Sequence, residues 1–421
     1  MVSPIRRYYA YRASLSSGFY IPVSVVYMES KGLGLPEIGA VQAAFLFSMV
    51  AWELPTGYLG DRLGRRTALG VGSVLTVAVM VGFALADSTV GFAVVYASWA
   101  IAWTLKSGTA DAWLYELLAR DGAVDEFSRF AGRADSTLLL VSGGAALAAG
   151  LLYTVDPVLP FLANAMLAAL GIPVLITLPR THGGDSPDAA APAGGNASAS
   201  DSSDAGAAAT ATGPTDTTLG VREAAAVLRS QLTRPSIRWI VVYAALFNLA
   251  FSVTRVFEQP AMRAVGVPVA GLGVLYAAFK LVSAVAASAA GPISERLGTR
   301  GVLLLLVPVI GVTYGAFAVV PVLLLPALFL RRGLQRITRP VRNEYINDRL
   351  TGAGRATVLS GVSMVLTLVS GTANVLGGRV AAAVGPLTFL STTGVAVAVA
   401  AGVLWVAVRP VRDVTPRGAT S

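Results

Sequence analysis

The chain alternates between long apolar stretches and short polar segments, and this alternation predicts its secondary structure. The stretches approach the length of about 20 residues that an α-helix needs to cross the hydrocarbon core of a bilayer. Membrane strands are not expected, because the stretches are too long and lack the alternation of barrel strands. Six predicted spans precede a polar segment and six follow it, near residues 10–28, 37–60, 68–86, 90–117, 133–155 and 157–178, and near 237–257, 268–291, 301–319, 322–345, 356–380 and 386–408.

The polar segment between the two sets marks a domain boundary. Residues 181–220 consist almost wholly of small and polar residues, so they cannot bury a core and are predicted to be a disordered linker. Residues 221–234 alternate apolar and charged positions in a way that predicts a short amphipathic helix on the membrane surface. The predicted domains are an N-terminal bundle (1–180), a cytoplasmic linker with this helix (181–235), a C-terminal bundle (236–408) and a cytoplasmic tail (409–421).

Composition and charge support a membrane protein with a defined orientation. Of the 421 residues, 55% are hydrophobic and only 13% are charged, with a net charge of +9. In a soluble protein this charge would suggest nucleic-acid binding, but the arginines here fall in every second segment between spans. That positive-inside bias predicts that both termini lie in the cytoplasm. No basic patch with interleaved aromatic residues is left for nucleic acid.

Residue usage also excludes several kinds of chemistry. The chain has no cysteine, and its one histidine, His182, lies in the predicted linker. Disulfides, thiolate chemistry and cysteine or histidine metal sites are therefore not expected. No phosphate-binding Gly-x-x-x-x-Gly-Lys-Ser/Thr loop occurs, so ATP does not drive the protein directly. We expect no metal, no cofactor and no enzymatic activity.

Two ten-residue segments, 57–66 and 291–300, share one pattern. Each has a glycine, an acidic residue four positions later followed by an arginine, and a second glycine, and the two copies are 234 residues apart. A repeated segment of this kind predicts two copies of one helical bundle. The pattern resembles the loop between the second and third spans of major facilitator superfamily transporters.

This resemblance implies an all-α membrane protein of twelve transmembrane helices in two pseudo-symmetric six-helix bundles, with the substrate site between them near the membrane midplane. In the family the loop is part of a latch that favours the outward-facing state. The alternative is that the segment is only a topology signal. The residues to which the latch role is carried over are Gly57, Asp61, Arg62, Gly64, Arg65 and Arg66 in the first copy and Glu295 and Arg296 in the second.

A second resemblance lies just upstream, in the segment Glu53-Leu54-Pro55-Thr56-Gly57 inside span two. It resembles a signature of bacterial and archaeal small-molecule or drug exporters. Proline inside a helix frees a backbone carbonyl, and an intramembrane acid is expected to face protein and not lipid. Glu53 is therefore a candidate for gating or proton coupling, the alternative being that it ties span two to a neighbouring helix.

Other ionisable residues inside spans are functional candidates because they are expensive to bury in a membrane. Lys106 and Asp111 lie in span four, which the resemblance implies lines the cavity; the alternative is a pair that locks two helices. In span ten, Arg332 and Arg336 share a helical stripe with Arg339, which suggests either an anionic substrate or anchoring of Arg339 and its neighbours to the inner leaflet. The remaining candidates are Tyr115, Asn248, Arg255 and Lys280, with Arg255 expected to pair with Glu258.

These observations predict a monomeric secondary active transporter that moves a small molecule across the cell membrane by alternating access. Proton-coupled efflux is the favoured direction and coupling, so the expected partners are a small-molecule substrate, a proton and the lipid bilayer, and not nucleic acid. One alternative is uptake of an organic anion. An alternative of another class is a non-transporting membrane sensor, although no output domain is recognisable.

Overall fold

The computed structural model describes residues 4–179, 230, 233–349 and 355–411, and every regular element in these ranges is helical. The predicted linker and most of the predicted amphipathic helix lie outside them. The first half contains α1 (Pro4–Ser14), α2 (Ser24–Ser30), α3 (Leu35–Leu63), α4 (Arg65–Leu85), α5 (Thr89–Lys106), α6 (Thr109–Arg120), α7 (Phe127–Val155) and α8 (Leu159–Ile176). The second half contains α9 (Pro235–Ala264), α10 (Val269–Val319), α11 (Leu324–Asn347), α12 (Arg355–Val384) and α13 (Pro386–Val408).

Length and hydropathy identify this as a multi-pass membrane protein. Eight helical segments of the described chain are long and apolar enough to cross a bilayer. Their outer faces carry exposed apolar side chains, such as Leu140 (77% exposed) and Val406 (88% exposed). A continuous apolar surface of this kind is unfavourable in water and is satisfied by lipid. The all-helical membrane class predicted from the sequence is confirmed.

Two predicted spans are broken. Span one is divided between α1 and α2 by residues 15–23, and span four is divided between α5 and α6 at Ser107 and Gly108. Gly108 has a φ of +73°, which interrupts the helix and which glycine adopts at little cost. Lys106 and Asp111 therefore lie on different helices, and not on one continuous span as expected.

The two repeated segments form sharp corners instead of the expected ten-residue loops. Helix α3 continues through Leu63, and only Gly64, with φ +79°, departs from helical geometry before α4 begins. In α10 the corresponding residue is Gly298, whose non-helical φ of +64° and ψ of 164° divide the element into two helices. The internal repeat therefore appears in the backbone itself, because both copies turn at a glycine in the left-handed region.

The helices pack mainly within their own half, and two long pairs, α3 with α12 and α7 with α10, join the halves. In the second pair a Cβ atom at Gly150 would overlap the backbone of Ala270, and one at Gly273 would overlap the carbonyl oxygen of Ala146. Small residues of this kind let two membrane helices approach closely.

The α3–α12 pair has the same kind of contact at the same end of the molecule. A Cβ at Gly39 would overlap the backbone of Asn374, and one at Gly378 would overlap the backbone of Leu35. All these contacts lie where α3 and α10 begin and where α7 and α12 end. As names only, we call this end, with its close glycine contacts, the closed end, and the opposite end, which contains Gly64 and Gly298, the open end.

We predict that the Gly273→Ala substitution lowers the free energy of unfolding by about 1–3 kcal/mol, because the added methyl group meets backbone atoms that cannot move aside. Gly291, in the same helix, is the matched control, since a Cβ there would meet no described atom within 4 Å. Gly291→Ala should be neutral or stabilising by up to about 1 kcal/mol, because alanine has the higher helix propensity. Thermal unfolding of both purified variants in one detergent checks the prediction, and equal shifts in the two variants would contradict it.

Candidate functional site

The larger of two cavities in the described residues, with about 830 Å³ of empty space that includes open solvent, lies mainly in the second half. Its walls are formed by α9, α10, α11 and α12, and Leu46 of α3 contributes from the first half. Aromatic side chains of α9, Tyr243, Phe247 and Phe251, form an apolar wall. The cavity therefore lies beside the α3–α12 contact, on the open-end side of the glycine contacts.

The polar wall of this cavity is held in place by hydrogen bonds. Asn248 donates through Nδ2 to the backbone oxygen of Leu366 at 3.0 Å and to Oγ of Ser370 at 2.7 Å. The hydroxyl of Tyr243 donates to the backbone oxygen of Leu303 at 2.5 Å. The predicted candidate Asn248 thus lines the cavity as part of a fixed amide and hydroxyl surface.

The charged groups of the cavity are all cationic. Arg339 and Arg342 line it, and no Asp or Glu belongs to its described lining. Guanidinium groups at the wall of a low-dielectric cavity favour carboxylate or phosphate groups, which they can bind through paired hydrogen bonds. Arg332 and Arg336, which the sequence suggested for this role, lie outside the lining. The arginines of α11 that line the cavity therefore lie one to two helical turns C-terminal to the two that were predicted.

Arg332 has a different environment, which sequence reasoning missed. The Glu258 carboxylate accepts hydrogen bonds from Arg331 Nη2 at 2.8 Å, from Arg332 Nη2 at 2.6 Å and from the Tyr276 hydroxyl at 2.6 Å. The side chains of Arg331 and Glu258 are 0% exposed. A charge buried in a membrane protein must be paired in this way. Two adjacent arginines in the middle of a predicted span were the available signal that a buried acid faces them.

The residue next to Glu258 connects the two halves. Gln259 Oε1 accepts hydrogen bonds from the backbone nitrogens of Val25 at 3.0 Å and Val26 at 3.2 Å, and its Nε2 donates to the backbone oxygen of Ile21 at 2.8 Å. Val25 and Val26 begin α2, and no side chain of α2 or its flank caps that helix. Because the first N–H groups of a helix have no partner inside it, Gln259 of the second half serves as the missing cap.

A smaller cavity, of about 370 Å³, lies inside the first half and contains Lys106. Lys106 Nζ donates to Thr76 Oγ1 at 2.6 Å. Asp111 lies on α6 close enough to Arg12 to interact with it electrostatically. Arg12 also bonds to Asp135 of α7 at 2.5 Å. The alternative reading, a Lys106–Asp111 pair that locks helices, is therefore not seen, since Lys106 bonds to Thr76 and Asp111 lies near Arg12.

Four other candidates lie outside both cavities. Tyr115 packs edge-on against Phe127, with ring centroids 5.7 Å apart. Lys280 is buried on α10. Arg255 lies close enough to Tyr96 of the first half to influence it electrostatically, while its expected partner Glu258 is engaged by the two arginines of α11. Glu53 faces the second half, where its Oε1 accepts a long hydrogen bond of 3.5 Å from Ser360.

In the first copy of the repeated segment, the basic residues contact their own half. Arg62 lies over the ring of Tyr58, with its Cζ 4.7 Å from the ring centroid. Arg65 Nε lies 3.3 Å from Glu116 Oε1, and Arg66 donates to the backbone oxygen of Ile176 at 2.5 Å. The Asp61 side chain lies outside the part of the structure that is described.

The remaining residues of the repeat make fewer contacts. A Cβ at Gly57 would meet no described atom within 4 Å, so Gly57 makes no close contact with another described helix. Glu295 and Arg296 of the second copy are exposed. Gly64 forms the corner described above. The geometry therefore assigns helix-to-helix contacts to the first copy and surface positions to the second.

Comparisons with known proteins place this architecture in a family. The family model described as Major Facilitator Superfamily matches residues 13–259, more than half of the chain. The uncharacterized MFS-type transporter YxaM of Bacillus subtilis is 24% identical over 157 residues, which are 37% of this chain and 38% of that protein. The uncharacterized MFS-type transporter MJ1317 of Methanocaldococcus jannaschii is 29% identical over 119 residues, which are 28% and 29%. The chain thus spans less than two fifths of the length of these relatives.

Solved structures share the fold over nearly the whole chain. The nucleoside transporter NupG superimposes with a TM-score of 0.73 at 13% identity, covering 96% of both chains. A bacterial homologue of the iron transporter ferroportin in an inward-facing state has a TM-score of 0.66 at 15% identity, again covering 96% of both chains. Identities this low establish a common fold only. The family match shows that the chain belongs to the Major Facilitator Superfamily, a family of membrane transporters and not of enzymes.

Proposed function

We propose that the chain makes twelve membrane crossings in two six-helix bundles and transports its substrate by alternating access. Eight helical segments qualify as spans by length and hydropathy, and one of them, α10, is long enough to cross twice because it bends at Gly298. The broken pairs α1–α2 and α5–α6 and the arginine-rich α11 supply three more crossings. The repeated glycine corners, 234 residues apart, support two related bundles.

The open end is proposed to face the cytoplasm, with both termini on that side of the cell membrane. Arg62, Arg65 and Arg66 lie at this end, together with Arg296 and Arg300, which agrees with a positive-inside orientation. The larger cavity then opens inward, and the glycine contacts and the Gln259 cap close the outer side.

The substrate is proposed to be a small organic anion with an aromatic or apolar body. The observation that carries this proposal is the cavity wall itself, where the charged side chains of the described lining are the two guanidinium groups of Arg339 and Arg342. Phe247 and Phe251 offer an apolar surface opposite, and Asn248 and Ser370 offer polar contacts. A ligand with one carboxylate and one ring system can bind the arginines through its carboxylate, pack its ring against the phenylalanines and contact the polar side chains.

Export in exchange for protons is the direction and coupling that physical driving forces favour for such a substrate. A membrane potential that is negative inside is worth about 2.3 kcal/mol per elementary charge per 100 mV. An anion that leaves and a proton that enters both move with this field, so one exchange cycle gains from the potential twice. Glu53 is the proposed proton carrier, because it is a half-buried acid that faces the other half through Ser360.

The latch role remains part of this proposal. Arg65 and Arg66 hold the corner at Gly64 against α6 and α8, through Glu116 and the Ile176 carbonyl. Closing the open end would bring Asp61 and Arg62 towards the second half, where Glu295 and Arg296 lie exposed. The first copy is proposed to carry more of the latch, because its basic residues are already anchored.

We predict that Arg342→Gln weakens binding of 1-naphthoate by roughly tenfold or more, because it removes a charged hydrogen-bond donor from the cavity wall. Binding of 1-naphthamide, which has the same shape without the charge, should change little. Isothermal titration of the purified protein with both compounds measures the difference. Arg129→Gln is the matched control, since Arg129 is exposed and bonds only to the nearby surface residue Glu126 at 2.8 Å. Equal affinity of the wild-type protein for the acid and the amide would contradict the anion assignment.

We predict that Glu53→Gln abolishes proton movement coupled to 1-naphthoate while leaving naphthoate–naphthoate exchange intact. An amide at this position keeps the shape and the contact to Ser360 but cannot release a proton. Proteoliposomes with a pH-sensitive dye inside measure proton entry, and radiolabelled naphthoate measures exchange. Glu126→Gln is the surface control. Unchanged proton entry in Glu53→Gln vesicles would rule out Glu53 as the proton carrier, and loss of exchange as well would indicate a structural role.

A further inference from the structure

The smaller cavity is enclosed by helices of the first half alone, which separates it from the cavity described above. It is bordered by the unwound segment between α1 and α2 and by α4, α5 and α8. Its charged residue is Lys106, and no Asp or Glu belongs to its described lining. A cationic group in such a place needs an explanation, because burying it in a membrane is costly.

Several hydroxyl groups of this cavity already donate their protons in hydrogen bonds to backbone carbonyl oxygens. Ser14 donates to the Tyr11 carbonyl at 2.7 Å and Ser73 to the Leu69 carbonyl at 2.8 Å. Thr76 donates to the Gly72 carbonyl at 2.7 Å, so its oxygen is turned to accept from Lys106. These groups orient the lysine, but they have no proton left to give to a ligand.

Three donors in the cavity keep protons available. Ser17 Oγ and Trp103 Nε1 are buried and have no hydrogen-bond partner among the described residues. Lys106 Nζ gives one of its three protons to Thr76. Unpaired buried donors are rare in proteins because each costs free energy, so their concentration in one small cavity indicates a missing acceptor.

The site is also built around the lysine. Gly72 leaves room for the lysine stem, since a Cβ there would lie 2.7 Å from Lys106 Cγ. Asn164 is buried, with its Oδ1 unpaired, and a half-turn of its side chain would present the amide nitrogen as a further donor. A positive charge, an indole N–H, a hydroxyl and an amide then line one small cavity, and no carboxylate belongs to its described lining.

We infer that this cavity is a second binding site, for a small monovalent anion, held by Lys106, Trp103 and Ser17. Its position inside one bundle suits an ion that stays bound while the halves move. The anion neutralises Lys106, which otherwise destabilises the first half. Both an inorganic halide and a short carboxylate have the required charge and size, and the test distinguishes them.

The test is thermal unfolding of the purified, full-length protein at constant ionic strength, while gluconate is replaced by chloride, bromide or acetate. A ligand that binds the folded state raises the unfolding temperature in a saturable way. We expect saturable stabilisation, with apparent Kd raised roughly tenfold or more in Lys106→Gln and by a smaller factor in Trp103→Phe, which keeps the ring and removes the donor. Tighter binding of chloride or bromide than of acetate identifies the ligand as an inorganic halide, and the reverse order identifies it as a short carboxylate.

Two further measurements keep the inference falsifiable if Lys106→Gln folds poorly. Lys31→Gln, a change to an exposed lysine outside the cavity, should leave the titration unchanged. Anomalous scattering from crystals grown in bromide should place one ion beside Lys106 and Trp103. Absence of any saturable anion effect, or an effect that survives in Trp103→Phe and Lys106→Gln alike, would overturn the inference and indicate that the cavity holds water. None of these readouts requires transport, so they stand apart from the proposed substrate.

Discussion

The interaction on which the architecture depends is the capping of a broken membrane helix by a side chain from the other half. The break between α1 and α2 leaves backbone N–H groups of Val25 and Val26 without partners in their own helix, and water is not available to satisfy them in a bilayer core. Gln259 accepts from both groups and returns a hydrogen bond to Ile21. In the proposed transport cycle, opening the closed end would break these three hydrogen bonds, so the cap would oppose that motion.

The charge network of α11 fixes this cap and divides the arginines between two roles. Tyr276 donates to Glu258 and accepts from Gln259 Nε2 at 3.2 Å, so the position of the cap depends on the buried carboxylate. Arg331 and Arg332 neutralise that carboxylate and are structural. Arg339 and Arg342, two to three turns further along the helix, face the cavity instead. One helix thus neutralises the buried carboxylate and presents positive charge to the cavity.

The sequence predicted the features that depend on composition and local pattern, and missed those that depend on pairing across the fold. Hydropathy placed most of the helices, and the repeated segments contain the two glycines, Gly64 and Gly298, at which the chain turns, because glycine adopts that backbone at little cost. The partners of Glu258 could not be predicted, since Arg331 and Arg332 are more than 70 residues away and Arg255 is one turn away on the same helix. Likewise, Lys106 and Asp111 lie close in sequence, but the φ of Gly108 sends them to different surroundings.

We propose that the Gln259 cap holds the closed end shut during the transport cycle. The chain has no native cysteine, so paired cysteines can be spin-labelled without background. Pulsed electron–electron double resonance would measure the distance between two spin labels at each end, with and without Gln259→Leu. The labelled pair is Lys31→Cys with Val322→Cys at the closed end and Asp121→Cys with Asp348→Cys at the open end. We predict that Gln259→Leu adds a population with a longer closed-end distance and a shorter open-end distance. Unchanged distances at both ends, or lengthening at both ends together, would contradict the claim.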